Sequence, residues 1–195
     1  MELISDILYW ISTGLLVPVI VILIVLFIRA LLLIGSFFGQ YLAILKSSAQ
    51  VRKALAGITP DTLDSVLENL PKKDNILVIH YIKKMIMSRD NKAEVKRLLS
   101  EFEIEADKDL GVSKILTRLG PMMGLMGTLI PMGPALAGLA SGDIESMARN
   151  MQVAFSTTVT GLVAAAIGYV TQQVKQRLYL QDMTNLEYLS EIIGK

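Results

Sequence analysis

The chain has no cysteine and a single histidine, His80. Without Cys there is no disulfide, no thiolate metal site and no Cys nucleophile. One His excludes a His-rich metal centre. No P-loop and no Gly-x-Gly-x-x-Gly run is present, and no Ser or Thr is flanked by a plausible catalytic base. The requirements for a nucleophile, an acid or base, or a cofactor cradle are therefore unmet, and the chain reads as a non-enzyme that needs no cofactor. A net charge of +1 gives no electrostatic reason to expect nucleic acid. The most informative absence is local: residues 119–142 and 151–171 contain no Asp, Glu, Lys, Arg or His.

What is present is apolar and clumped. The 195 residues are 52% hydrophobic, gathered in blocks, which points to a small multi-span membrane protein. The first block, 7–45, is broken only by Arg29, and its N-terminus, MELISD, is acidic, unlike a signal peptide. It reads as a retained span over about residues 9–32, with Tyr9 and Trp10 at one membrane face and Arg29 reaching toward the other. The second and third blocks form a hairpin, 119–171, joined by a short polar turn around DIESMARN. Each arm exceeds the roughly 20 residues that cross a hydrocarbon core. Both are dense in Gly, Ala, Ser and Thr, which favour close helix packing over contact with lipid alone.

Residues 46–118 carry fourteen Lys or Arg and eleven Asp or Glu. The N-terminal tail has no basic residue, the hairpin turn has Arg149 only, and the C-terminal tail has Lys175, Arg177 and Lys195. The positive-inside rule then predicts N-out, C-in, with the long charged stretch in the cytoplasm. The expected fold is an all-α integral membrane protein: 1–45 as first transmembrane helix and extension, 46–117 as a helical cytoplasmic region, 118–176 as the hairpin, and 177–195 as a cytoplasmic C-terminal tail. Within the cytoplasmic region Thr59-Pro60-Asp61 signals a helix over 61–70, stopped by Pro71. NILVIHYIKKMIM, 75–87, is amphipathic, and His80 is expected to pack between helices. A third segment, 93–119, has no break before Gly120 and is expected to run into the second span as one helix. The acidic residues Glu101, Glu103, Glu105, Asp107 and Asp109 read as a solvated face.

Inside the hairpin the polar groups are hydroxyls: Thr128, and Ser156, Thr157, Thr158 and Thr160. The third span carries a small-residue stripe, Ala154, Thr158, Gly161, Ala165, Gly168. The second offers Gly120, Gly124 and Gly127, then Pro131 and Pro134, an expected kink whose freed carbonyls need other partners. Taken singly, each hydroxyl is expected to bond back to its own helix. As a group beside a double proline, they suggest a lined pathway. An ion crossing hydrocarbon generally needs an ionisable group, so a titrating acid has to come from another polypeptide.

GPMMGLMGTLIPMGPAL, with its Gly-Leu-x-Gly-Thr, and VAFSTTVTGLVAAAIG, with Thr followed by Gly-Leu and small residues, resemble the MotA/TolQ/ExbB proton-channel family. Three spans with a long cytoplasmic segment resemble its ExbB and TolQ branch more than the four-span stators. The resemblance implies a homopentamer in the inner membrane of a prokaryote, its second and third spans lining a pore around a single-span ExbD/TolR/MotB-like partner. That partner's Asp would bind the ion, H⁺ or Na⁺, beside Thr128 and Thr158. The chain departs from ExbB-type members at Gln152 and Val153, where those carry a Glu. The competing expectation is a membrane scaffold that oligomerises without conducting. A self-contained transporter ranks third, for want of an acid in the hairpin.

Overall fold

A computed structural model describes residues 2–55, 63 and 76–193 of the chain. Among these the fold is all-helical: α1 (Glu2–Gly14), α2 (Leu16–Leu55), α3 (Leu77–Met87), α4 (Lys92–Ala140) and α5 (Ile144–Ile193). Three helical stretches are long and apolar enough to cross a membrane, in Asp6–Phe37, Lys92–Ala140 and Ile144–Ile193. The second and third are far longer than one crossing requires, and their charge-free parts are 119–140 and 151–171. The chain divides into an apolar unit, Met1–Gly35 with Val112–Thr171, and a charged unit, Ser36–Gly111 with Gln172–Lys195.

In the apolar unit the first block is not one uninterrupted helix. Helix α1 ends at Gly14, and α2 begins at Leu16 with Pro18 as its third residue. Proline lacks an N–H and its ring crowds the carbonyl four residues back, here that of Gly14. The break at Leu15 follows from that clash. Beyond it, Val19, Leu23, Leu26 and Ala30 recur at helical spacing and are buried. Leu26 and Ala30 meet Leu116 of α4 and Ala164 of α5, with Val112, Met123 and Ile167 alongside. The other faces of α2, including Val21, Ile24, Val25 and Ile28, are exposed, as lipid contact requires. Arg29 is exposed too.

The hairpin turn is tighter than the expected polar loop. Only Ser141–Gly142–Asp143 leaves the helices, and most of DIESMARN is already α5. Gly142 adopts φ +74°, the left-handed region that glycine tolerates. The Gly142 N–H donates to Leu139 O at 3.2 Å and the Asp143 N–H to Gly138 O at 2.8 Å, the two bonds of a Schellman C-cap. Asp143 then caps α5 by accepting from Ser146 N–H at 2.9 Å. Glu145 and Arg149 pair one turn on.

The charged unit has a conventional core of large side chains. Val95, Leu98, Phe102 and Ala106 of α4 face Val78, Ile79, Tyr81, Ile82 and Met85 of α3, and Leu186, Leu189 and Ile192 of α5. Tyr81, Phe102 and Tyr179 form a chain of edge-to-face rings, with centroids 5.6 and 6.4 Å apart. Helix α4 starts at Asn91, whose side chain accepts from Glu94 N–H at 3.2 Å. It then runs unbroken through Gly120, as its lack of stop signals predicts. The C-terminal tail is helical through Ile193 and supplies core residues. His80, expected in a helix interface, is exposed; it lies one position off the buried face of α3, and its ring meets Tyr81 edge-to-face. The expected helix over 61–70 lies outside the described residues apart from Leu63, which is buried.

In the acidic run Glu101 is half-buried and Glu103, Glu105, Asp107 and Asp109 are exposed, but Asp109 also makes contacts across to α5. Asp109 Oδ2 accepts from Lys175 Nζ at 2.7 Å and from Tyr179 OH at 2.6 Å. The Lys175 side chain is only 7% exposed, against 45% for Asp109. Burial and the adjacent Asp109 carboxylate push the Tyr179 phenol well above its ordinary range. Burial, helped by Glu105 and Glu101, pushes Tyr81 up to about 12.

Candidate functional site

Helices α4 and α5 approach so closely in the apolar unit because side chains are missing where they meet. A Cβ added at Gly120 falls 2.7 Å from Gly161 O, and one at Gly161 falls 2.5 Å from Gly120 O and 3.0 Å from Gly124 Cα. Gly124 lies against the backbone of Thr158, and a Cβ there meets Thr158 Cα at 3.4 Å. A Cβ on Gly168 falls 2.7 Å from Leu116 Cβ and 2.9 Å from Ser113 O. Small residues thus bring two backbones into van der Waals contact, the usual source of helix affinity in lipid.

Into this seam come two hydroxyls. The Thr157 side chain occupies the space a side chain on Gly127 would need, with Thr157 Oγ1 2.5 Å from the built Cβ. Thr157 is buried and its hydroxyl donates to its own helix, at Val153 O and Ala154 O, 3.0 and 2.9 Å away. Thr158 is half-buried and crosses the seam, donating to Gly124 O at 3.3 Å. The others stay on their own helices. Thr128 donates to Leu125 O at 2.7 Å, Ser156 to Gln152 O at 2.8 Å, and Thr160 to Ser156 O at 2.8 Å. Ser156 is exposed; Thr128 and Thr160 are half-buried, on flanks that α4 and α5 do not close against each other.

The sequence-predicted set therefore divides. Thr157 and Thr158 lie at the seam with Gly124, Gly127 and Gly161. Ser156 and Thr160 share a separate face of α5 one turn apart, and Thr128 bonds only within α4. Pro131 is fully buried and Pro134 half-buried, and the helical assignment of α4 continues through both. Proline cannot donate, so the carbonyls of Gly127 and Ile130 lose their intrahelical partners. Every hydroxyl here spends its proton on a backbone carbonyl yet keeps lone pairs to accept. Outside the seam, Thr128, Ser156 and Thr160 keep acceptor lone pairs at half-buried or exposed positions of a charge-free hairpin.

Residues 47–187 match the MotA/TolQ/ExbB proton channel family, well over half of the chain. The chain belongs to that family. The MotA/TolQ/ExbB match includes both hairpin arms and most of the charged unit, and begins after the first apolar block. With three membrane-length helices, the chain is a multi-pass membrane protein of that family. No curated protein and no solved structure matches it.

Sequence reasoning passed over Ser113, which is wholly buried beside Gly168, and Thr171, nearly so. It also missed the Asp109–Lys175–Tyr179 cluster and the buried Asp182. For the α5 residues a signal existed: Lys175 and Asp182 are seven apart and in register with Leu178, Leu186 and Leu189.

Proposed function

We propose that this chain is a subunit of an ion-motive-force-driven membrane motor, forming a homo-oligomeric ring whose second and third spans line a proton or sodium pathway. The carrying observation is the hairpin: it bears hydroxyls on both arms and no ionisable group, in a chain of the proton channel family. Since ion transfer through hydrocarbon needs a titrating or coordinating group, the acid belongs to a partner, a single-span protein of the ExbD/TolR/MotB kind. A hydroxyl whose proton is spent on a backbone carbonyl still accepts from a protonated carboxyl. It donates to the ionised carboxylate only after rotating away from that carbonyl. Thr128 and Thr158 are the residues assigned this contact. Moving one charge through a 100 mV potential releases about 2.3 kcal/mol, so a few ions per step suffice to turn or strain a partner.

The pentamer, the three-span ExbB/TolQ branch and a prokaryotic inner membrane with N-out and C-in complete the reading. They are supported by the motif resemblance and by the placement of Lys and Arg. On this reading the chain does no covalent chemistry and holds no cofactor. One observation favours the alternative, a non-conducting scaffold: four of the five hydroxyls bond within their own helix, as structural threonines do.

The deciding experiment measures the mass of the nanodisc complex, expressed alone and with a candidate partner, and then ion flux. A closed ring that takes up partner chains, and loses flux in Thr128→Ala or Thr158→Ala while staying assembled, supports the motor. Rings with no partner uptake and no flux overturn it in favour of the scaffold.

A further inference from the structure

The charged unit contains an acid that nothing in the proton pathway uses. Asp182 of α5 is 3% exposed, and its Oδ1 is buried with no hydrogen-bond partner. It lies on the core face of α5, one turn from the buried Leu178 and Leu186. The nearby cation is already committed: Lys175, two turns back on the same face, bonds Asp109. Tyr179, one turn back, gives its hydroxyl proton to the same Asp109 oxygen.

Among the described residues, no cation forms a salt bridge with Asp182. Helix α4 brings Asp109, with Glu101 and Glu105 near Tyr81 of α3; the described side chain from the end of α2 is Val51. On α3, Lys84 lies over the Tyr81 ring, 5.5 Å from its centroid. An ionised carboxylate buried without a partner is costly, whereas a protonated one loses only a weak hydrogen bond.

We propose that Asp182 is a proton-binding site of the charged unit, separate from the hairpin hydroxyls, and that losing its proton loosens the packing of α5 against α4 around Tyr179. The ligand is the proton of the surrounding water, so the site reads the pH on the side where the charged unit lies. Burial alone raises the carboxyl from its ordinary 3.8 to about 7, which puts the change within reach of physiological shifts. The inference does not rest on ion conduction by the hairpin.

The sign of the effect is fixed by linkage. The folded state holds this proton more tightly than the unfolded state, so its contribution to stability is complete in acid. It is lost as pH rises from about 4 to about 7, and levels off above. The full chain in nanodiscs, compared with Asp182→Asn, provides the test. Two quantities are read at each pH: the unfolding midpoint, and amide hydrogen exchange across residues 178–186. The expected result is a midpoint difference between the two proteins that grows up to about pH 7 and then stays flat. Exchange in the wild type should speed up relative to the variant as pH passes neutrality. Identical pH profiles overturn the proposal, since the carboxyl then carries no titration of its own. Should Asp182→Asn not fold, Asp182→Leu takes its place; failure of both also overturns it, because a site neutral in acid must tolerate a neutral side chain.

Discussion

The seam between α4 and α5 makes a sharp prediction at Gly161. A methyl group placed there begins 2.5 Å from Gly120 O and 3.0 Å from Gly124 Cα, and both obstacles are backbone. Ordinary van der Waals contact needs roughly 3.4 Å or more, so the helices must part by several tenths of an ångström to about 1 Å. Overpacking of this kind costs about 1–3 kcal/mol. The Thr158–Gly124 hydrogen bond, already 3.3 Å long, would be stretched past usefulness, adding about 0.5–1.5 kcal/mol. Less up to about 1 kcal/mol regained in helix propensity, Gly161→Ala should destabilise by about 1–3 kcal/mol, and Gly161→Val by more.

Gly111 is the internal control. It lies within the same helix as Gly120, but a Cβ there meets nothing within 4 Å. Gly111→Ala should be neutral or stabilising by up to about 1 kcal/mol through helix propensity. The assay is SDS-driven unfolding of the purified protein in mixed micelles, followed by circular dichroism. If Gly161→Ala matches wild type, or tracks Gly111→Ala, the backbone seam is not where the hairpin gets its stability.

Other perturbations test neighbouring features. Asp109→Asn leaves the buried Lys175 ammonium without its carboxylate and should cost about 1–3 kcal/mol, less than a fully buried pair because Asp109 is half in water. The double variant Asp109→Asn/Lys175→Met should recover much of that loss, and a double-mutant cycle of unfolding free energies reads it. Gly142→Val forces a β-branched residue into left-handed backbone and should cost about 1–2 kcal/mol, visible in the same SDS titration. Pro18→Ala should join α1 to α2 by restoring the missing donor, seen as slower amide exchange at residues 14–18. Thr158→Ser should conduct where Thr158→Val does not, in proteoliposome flux carried out with the partner present.

How much of this was legible in the sequence depends on the range of the interaction. Helix α4 was readable because nothing between Lys92 and Gly120 stops a helix, and continuity is a local property. The glycines announced a close packing, but not that Gly120 meets Gly161 or that Thr157 fills the place of a Gly127 side chain. Those pairings depend on how two helices are offset, which the Schellman turn at Gly142 sets. The break at Leu15 was hidden by hydropathy, which scores Pro18 and its neighbours as a continuous apolar run. His80 was misjudged because its flanking isoleucines occupy the buried face of α3 while it falls just beside them. Asp109 looked like the last of five solvated acids, and only a lysine sixty-six residues away gives it a separate role.

The two halves of α4 and α5 solve the same packing problem with opposite materials. In the charged unit the buried face reads Val95, Leu98, Phe102, Ala106 on one helix and Leu178, Leu186, Leu189, Ile192 on the other. Water surrounds that part, so large apolar side chains are driven together by their own hydration. In the apolar unit the buried positions include Gly120, Gly124, Gly127 and Ala135 of α4 and Ala154, Thr157, Gly161 and Ala164 of α5, with Leu116 and Pro131 as large exceptions. Lipid offers no such drive, and association there depends on close backbone contact. The change is gradual, since Leu116 of α4 is still fully buried within the apolar unit. A Leu at any of the seam glycines would suit the charged unit and disrupt the hairpin, whereas a Gly at Leu98 or Leu186 would do the reverse. The sequences of α4 and α5 thus carry two packing codes, large apolar residues in the charged unit and mainly small ones in the hairpin.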